Sequence, residues 1–165
     1  MRTLVRTIVW LALIVWLGGL FFFPIVAAAA FTSISDTHAA GTIVAKCLGL
    51  LHHEGLIAGC IVLLLLLIGR ATRVYAGIRF AFVVTLIMMG LTAFSQYSII
   101  PHMERDRIAA GGAIDNVPRT DPRHADFDRL HNRSVHLEEA VMLLGIVLVI
   151  LVAAQQEPER RELLA

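Results

Sequence analysis

The chain has 165 residues, 58% of them hydrophobic and only 16% charged, with a formal net charge of +1 and a mean hydropathy of +0.76. Soluble domains run near half apolar and a quarter charged, so an ordinary water-soluble domain is excluded, and so balanced a charge offers no basic stripe for nucleic acid as a partner. No phosphate-cradling glycine loop, nucleophile elbow or paired Cys-x-x-Cys occurs, which points away from an enzyme and leaves no residue to assign as catalytic.

Four apolar segments separated by clustered charges fill the chain. A membrane core takes roughly 20 helical residues. The segments read as spans at about 4–31, 41–69, 78–100 and 130–154, with an outer loop at 101–121 and a polar tail at 155–165. The predicted fold is all-α: a single-domain, up-down-up-down four-helix transmembrane bundle whose helices two, three and four extend on the outer side.

Segment one follows Arg2 and Arg6 and carries Gly18, Gly19, Pro24 and the alanines 27–30. Its apolar stretch is longer than the 7–15 residues of a secretory signal core, so it reads as a retained first span. Segment two opens at Ser35 or Asp36, both good N-caps, and contains Gly55 and Gly59 in GLIAG, a small-xxx-small spacing suited to close helix approach. Cys47 and Cys60 lie in the same segment too far apart to bridge and read as two small buried thiols. Segment three ends at Pro101, which kinks or stops the helix. Segment four is announced early, because Asp121 before Pro122 is an N-cap and first-turn signal. Its helix is expected to run unbroken over 122–154.

Arg2, Arg6, Arg70, Arg73, Arg79, Arg160 and Arg161 flank the spans on one side, whereas the loop at 33–42 has no Lys or Arg. The arginines of 101–129 are matched there by acidic residues. Basic residues favour cytoplasmic flanks, so both termini are expected to be cytoplasmic, with the lipid bilayer as the principal partner. The small-residue faces also allow a homo-oligomer.

All seven histidines fall toward the outer side. The strongly apolar parts of segments two (56–69) and four (140–154) cover only about 21–23 Å, short of a core of about 30 Å. Each span therefore borrows polar residues from its outer end: His52, His53 and Glu54 in segment two, and His136, Glu138 and Glu139 in segment four. Segment three brings Thr92, Ser95, Gln96, Tyr97 and Ser98 to that level. His136 and Glu139, three apart, share a helix face with Asn132 one turn above; His131 aligns with Glu138, and Lys46 with His53. His52 and His53 are adjacent, so only one of them faces a given partner. A histidine with a carboxylate one turn away is an arrangement that orients a metal ligand or holds a proton. The candidate metal ligands are His52, His53, His131, His136 and Glu139, with His136 and Glu139 expected to face the bundle interior near His52 or His53. Interface solvation by the same residues is the competing reading.

Three stretches carry a family resemblance: WLGGLFFFPIVAAAAF in segment one, AAGTIVAKCLGLLHHEG opening segment two, and FDRLHNRSVHLEEAVMLLG opening segment four. In this order, over nearly the whole chain, they resemble the transmembrane protein 205 family and its bacterial relatives, most specifically through WLGG with the aromatic turn after it and through Phe127, Leu130, His131 and Ser134. The resemblance implies a four-helix protein of the bacterial inner membrane with an accessory, transport or stress-tolerance role. More remotely the chain looks like the four-helix fold of copper-resistance protein D and a haem-biosynthetic membrane oxidase, which suggests copper or haem as cofactor. Segment one holds no histidine, a departure from the oxidase-like pattern.

Overall fold

Two aspartates start the two longest helices. The Asp36 side chain accepts hydrogen bonds from the His38 and Ala39 amides, and that of Asp121 accepts from the Arg123 amide, satisfying N–H groups that a helix start leaves open. A computed structural model, which describes residues 2–75 and 77–155, places α1 at Arg2–Ser33, α2 at Thr37–Ala71, α3 at Arg79–Phe94, α4 at Ile100–Ala109 and α5 at Pro122–Ala154. A π-turn at Ser95–Ile99 joins α3 to α4, and a 3-10 turn lies at Ile114–Asn116. The helices α1, α2 and α5 and the run Arg79–Asn116 are each long and apolar enough to cross a membrane, which makes the chain an all-helical integral membrane protein. The expected tail from residue 156 onward, with Arg160 and Arg161, lies outside the described residues.

The buried positions explain how the four spans meet. On α2 they include His52, Gly55, Gly59, Val62, Leu66 and Gly69; on α3 and the π-turn, Ala81, Thr85, Met88, Thr92, Ser95 and Ile99. On α5 they include Val141, Gly145, Leu148 and Val152. Each series steps alternately by three and four, the spacing of a seam in left-handed helix packing. The helix α2 packs on α1 and α3, and α5 closes the ring against α3 and α1. In lipid, close van der Waals fit rather than water exclusion holds such helices together. Here the fit rests on glycine: a Cβ on Gly55 would overlap the Trp16 indole, one on Gly59 would come within 2.7 Å of Met89, and one on Gly145 would overlap Leu17. The GLIAG motif thus packs inside the chain.

One expectation is narrowed and two are corrected. Of the two outcomes expected at Pro101, a stop is excluded; the π-turn widens the backbone where the proline ring would strike the carbonyl four residues earlier, and α4 continues to Ala109. Much of the stretch 101–121 is accordingly helix rather than loop, and the break is confined to about 110–121. The thiols are not both buried: Cys47 is half-buried and Cys60 exposed.

The connections are short and pinned. Between α2 and α3, the Gly69 carbonyl accepts from the Val74 and Tyr75 amides at 2.7 and 3.2 Å, Arg73 takes φ 57°, and the Tyr75 ring folds onto Gly69, where a Cβ would overlap it. At the opposite, far end, Arg107 donates to the Glu104 carboxylate, to the Gly112 carbonyl at 2.6 Å and to His38 Nε2 at 3.4 Å. The Thr37 hydroxyl donates to Asp115 at 3.2 Å, and Arg123 joins the Asp121 carboxylate to the Ala109 carbonyl. These bonds tie the start of α2 to the α4–α5 connection as a helical cap.

Gly55→Leu should lower resistance to unfolding in mixed micelles by about 1–3 kcal/mol through overpacking against Trp16. Gly18→Leu, at a glycine with nothing within 4 Å, should cost far less; equal losses would remove the glycine seam from the account. A second expectation concerns pH. The Arg123 guanidinium beside Asp121 holds its carboxyl down at about 2, below the ordinary 3.8, so the cap's contribution is fully present above about pH 4 and lost as pH falls through about 2. The Arg123 amide should stay protected from hydrogen exchange at about pH 3 and open below about 2, and Asp121→Asn should abolish that dependence; opening centred at pH 4 or higher would contradict it.

Candidate functional site

The seam of α2 carries one histidine among its glycines and aliphatics. His52 is 1% exposed, and both of its ring nitrogens are engaged. Nε2 lies 2.5 Å from Glu138 Oε1 on α5, and Nδ1 lies 2.8 Å from Gln96 Oε1 on the π-turn. Three spans therefore meet on one imidazole. Toward the far end the Ser95 and Ser134 hydroxyls, both buried, approach to 3.4 Å. Thr92 Oγ1 and Glu138 Oε2 are buried without a hydrogen-bond partner.

The depth of this layer follows from counting. From Arg70 and Arg79 at the near end of α2 and α3, roughly 20 residues of helix reach Leu50 and Ile99; from Ala154, the same length reaches Ser134. His52, Gln96 and Glu138 thus fall inside the apolar slab, within about a turn of its far edge. A charge facing lipid there is costly, and turning inward to a partner is the alternative.

The atoms fit more than one protonation state. With Gln96 Oε1 and a Glu138 carboxylate oxygen both accepting, His52 is an imidazolium donating from both nitrogens. Turning the Gln96 amide over places its NH2 against Nδ1, which then accepts, and His52 is neutral with Nε2–H donating to Glu138. The same heavy-atom positions serve both.

Of the candidates read from the sequence, only His52 lies in this cluster. His53 is exposed; its Nδ1–H donates to the Gly49 carbonyl at 2.6 Å, and its ring meets Tyr97 edge-on with centroids 6.2 Å apart. His131 is exposed on α5 and stacks on Phe127 at 6.4 Å, with ring planes 2° apart. His136 and Glu139 pair with each other at 3.1 Å, but 76% and 62% of their side chains are exposed. The expectation that these two face the interior is overturned. The seam of α5 steps from Ser134 to Glu138 to Val141 to Gly145, and neighbours on a helix point about 100° apart, so Glu138 faces in and Glu139 faces out. Glu138 and Gln96 are the functional residues absent from the sequence candidates. The small residues Ser134 and Gly145, four before and seven after Glu138, were the signal that could have found the carboxylate; Gln96 had none beyond polarity at the right level.

A metal does not fit this donor set. Among the described residues no three His, Cys, Asp or Glu side chains are grouped as a metal site requires. His52 already spends both nitrogens on Gln96 and Glu138, and the other histidines point elsewhere. No family model, curated protein or solved structure matches the chain.

Removing the imidazole leaves the part-buried Gln96 and Glu138 side chains without their shared partner. His52→Ala should destabilise the protein by about 1–3 kcal/mol, whereas His136→Ala, at an exposed pair, should stay within about 0.5 kcal/mol of the parent. Unfolding midpoints in mixed micelles compare the two directly, and a larger loss from His136→Ala would contradict the assignment of His52 as the buried partner.

Proposed function

We propose that the protein is a membrane protein of the transport, accessory or stress-tolerance type, and that its working element is proton exchange at the His52–Gln96–Glu138 cluster. The observation that carries this reading is one buried imidazole bonded on both nitrogens to oxygens from two other spans. Histidine is the side chain whose charge changes most readily near neutral pH, and ionisable residues inside membrane spans are rare and mark proton or ion paths. The resemblance to the transmembrane protein 205 family supports the class. In proteoliposomes under a potassium diffusion potential, a trapped pH dye should report proton entry above that of protein-free vesicles. His52→Gln and Glu138→Gln should lower it at least tenfold, and His136→Ala should leave it unchanged. Equal entry in all variants, or in empty vesicles, would refute the reading.

The orientation proposed with it puts both termini in the cytoplasm, in a bacterial inner membrane, because Arg2, Arg6, Arg70, Arg73 and Arg79 gather at the near end and basic flanks stay inside. Any homo-oligomer would use faces such as that of Gly18, which has nothing within 4 Å, since Gly55 and Gly59 are filled by the chain itself. Reporter fusions after residues 35, 74, 115 and 165 should read outside, inside, outside and inside; an outside reading at 165 would reverse the model.

A further inference from the structure

Two residues beyond His52, Glu54 leaves the α2 seam on the side of α1. It lies in a groove of about 520 Å³ between the two helices, a volume in the range of small-molecule sites. Leu11 and Val15 of α1 and Leu50, His53, Glu54 and Ile57 of α2 contribute to the walls, and apart from the ends of His53 and Glu54 those walls are hydrocarbon. Leu11, Val15, Leu50 and Ile57 are all exposed on the protein surface, so the groove opens where lipid would lie. Glu54 Oε1 is buried and has no hydrogen-bond partner, while its other oxygen lies over Gly19, where an added Cβ would come within 3.2 Å. The His53 imidazole does not supply the missing donor, because its Nδ1–H is spent on the Gly49 carbonyl.

A buried carboxylate oxygen without a donor is a demand that its surroundings ordinarily meet. A lipid tail would fill the apolar walls and leave that demand standing. An ammonium group on an apolar body answers both once the Glu54 carboxylate turns toward the groove: the body takes the hydrocarbon walls, and its N–H supplies the hydrogen bond and the opposite charge. We propose that the α1–α2 groove binds lipophilic organic amines in their protonated form, arriving from the lipid phase, with Glu54 as the anchor. This site faces α1 and is independent of the proton exchange assigned to His52, which faces α3 and α5, and to Glu138 on α5.

The test uses the full chain in nanodiscs and a single fluorinated probe, 4-(trifluoromethyl)phenethylamine, followed by 19F NMR against empty nanodiscs. The neutral 4-(trifluoromethyl)phenethyl alcohol, with the same body, reports partition alone. Saturable binding of the amine, at least tenfold stronger than any binding of the alcohol, is expected. Glu54→Gln should weaken it at least tenfold, and Ile57→Trp, which fills the groove while keeping the carboxylate, should do the same; His136→Ala, at an exposed position on α5, should leave it unchanged. Variants are compared at matched helicity and elution volume, so a misfolded Glu54 variant is replaced by the Ile57 one. Amine and alcohol binding alike would mean an apolar slot for lipid and would overturn the proposal, as would amine uptake equal to that of empty discs or unaffected by both groove variants.

Discussion

The hydrogen bond between His52 and Glu138 constrains everything around it. A charged side chain buried at the centre of a span costs about 2.5–3.5 kcal/mol on insertion scales, and a hydrogen bond between spans returns only about 0.6–2 kcal/mol. A bond of that size does not offset such a burial. Stability has to come from elsewhere, and it comes from the places where helices approach closely: Trp16 against Gly55, Met89 against Gly59, Leu17 against Gly145. Those contacts lie on the same seams that carry His52 and Glu138, so tight packing in the near part of the bundle holds the polar layer in register above it.

The division of α2 into faces then assigns separate tasks to adjacent residues. His52 follows the seam to α3 and α5. His53 turns outward to Tyr97. Glu54 turns toward α1 and Gly19. Three consecutive polar residues at one depth thus reach three different surroundings, and only the first is enclosed by other spans. The π-turn has a parallel effect on the third span: it accommodates Pro101 and carries Gln96, which meets His52 from the other side.

Much of this is legible in the sequence. Apolar run lengths identify the four spans, and the Asp36 and Asp121 caps locate two helix starts where they occur. The continuity of α5 follows from the lack of Gly or Pro between its first turn and Gly145. The adjacency of His52 and His53 lets only one of them face a given partner, and it is His52 that meets Gln96 and Glu138. What misled was pairing His136 with Glu139 by spacing alone. Three-residue spacing says that two side chains share a face, but which face is set by the packing partners, and on α5 the small and aliphatic residues mark the stripe through Glu138. Gln96 was legible only as one polar residue among several, because its role depends on a local widening of the helix that no single residue announces. The fate of Pro101 was ambiguous for the same reason: a proline at a helix boundary and a proline after a π-turn look alike in sequence.

The central claim is that residues 52 and 138, on different spans, share one buried bond. A double-mutant cycle of His52→Gln and Glu138→Gln, read as unfolding free energy in mixed micelles, tests it most directly. The account predicts a coupling of about 1 kcal/mol or more between positions 52 and 138, and a coupling near zero between 52 and the exposed position 136. Additive effects at 52 and 138, or stronger coupling of His52 to His136, would contradict it.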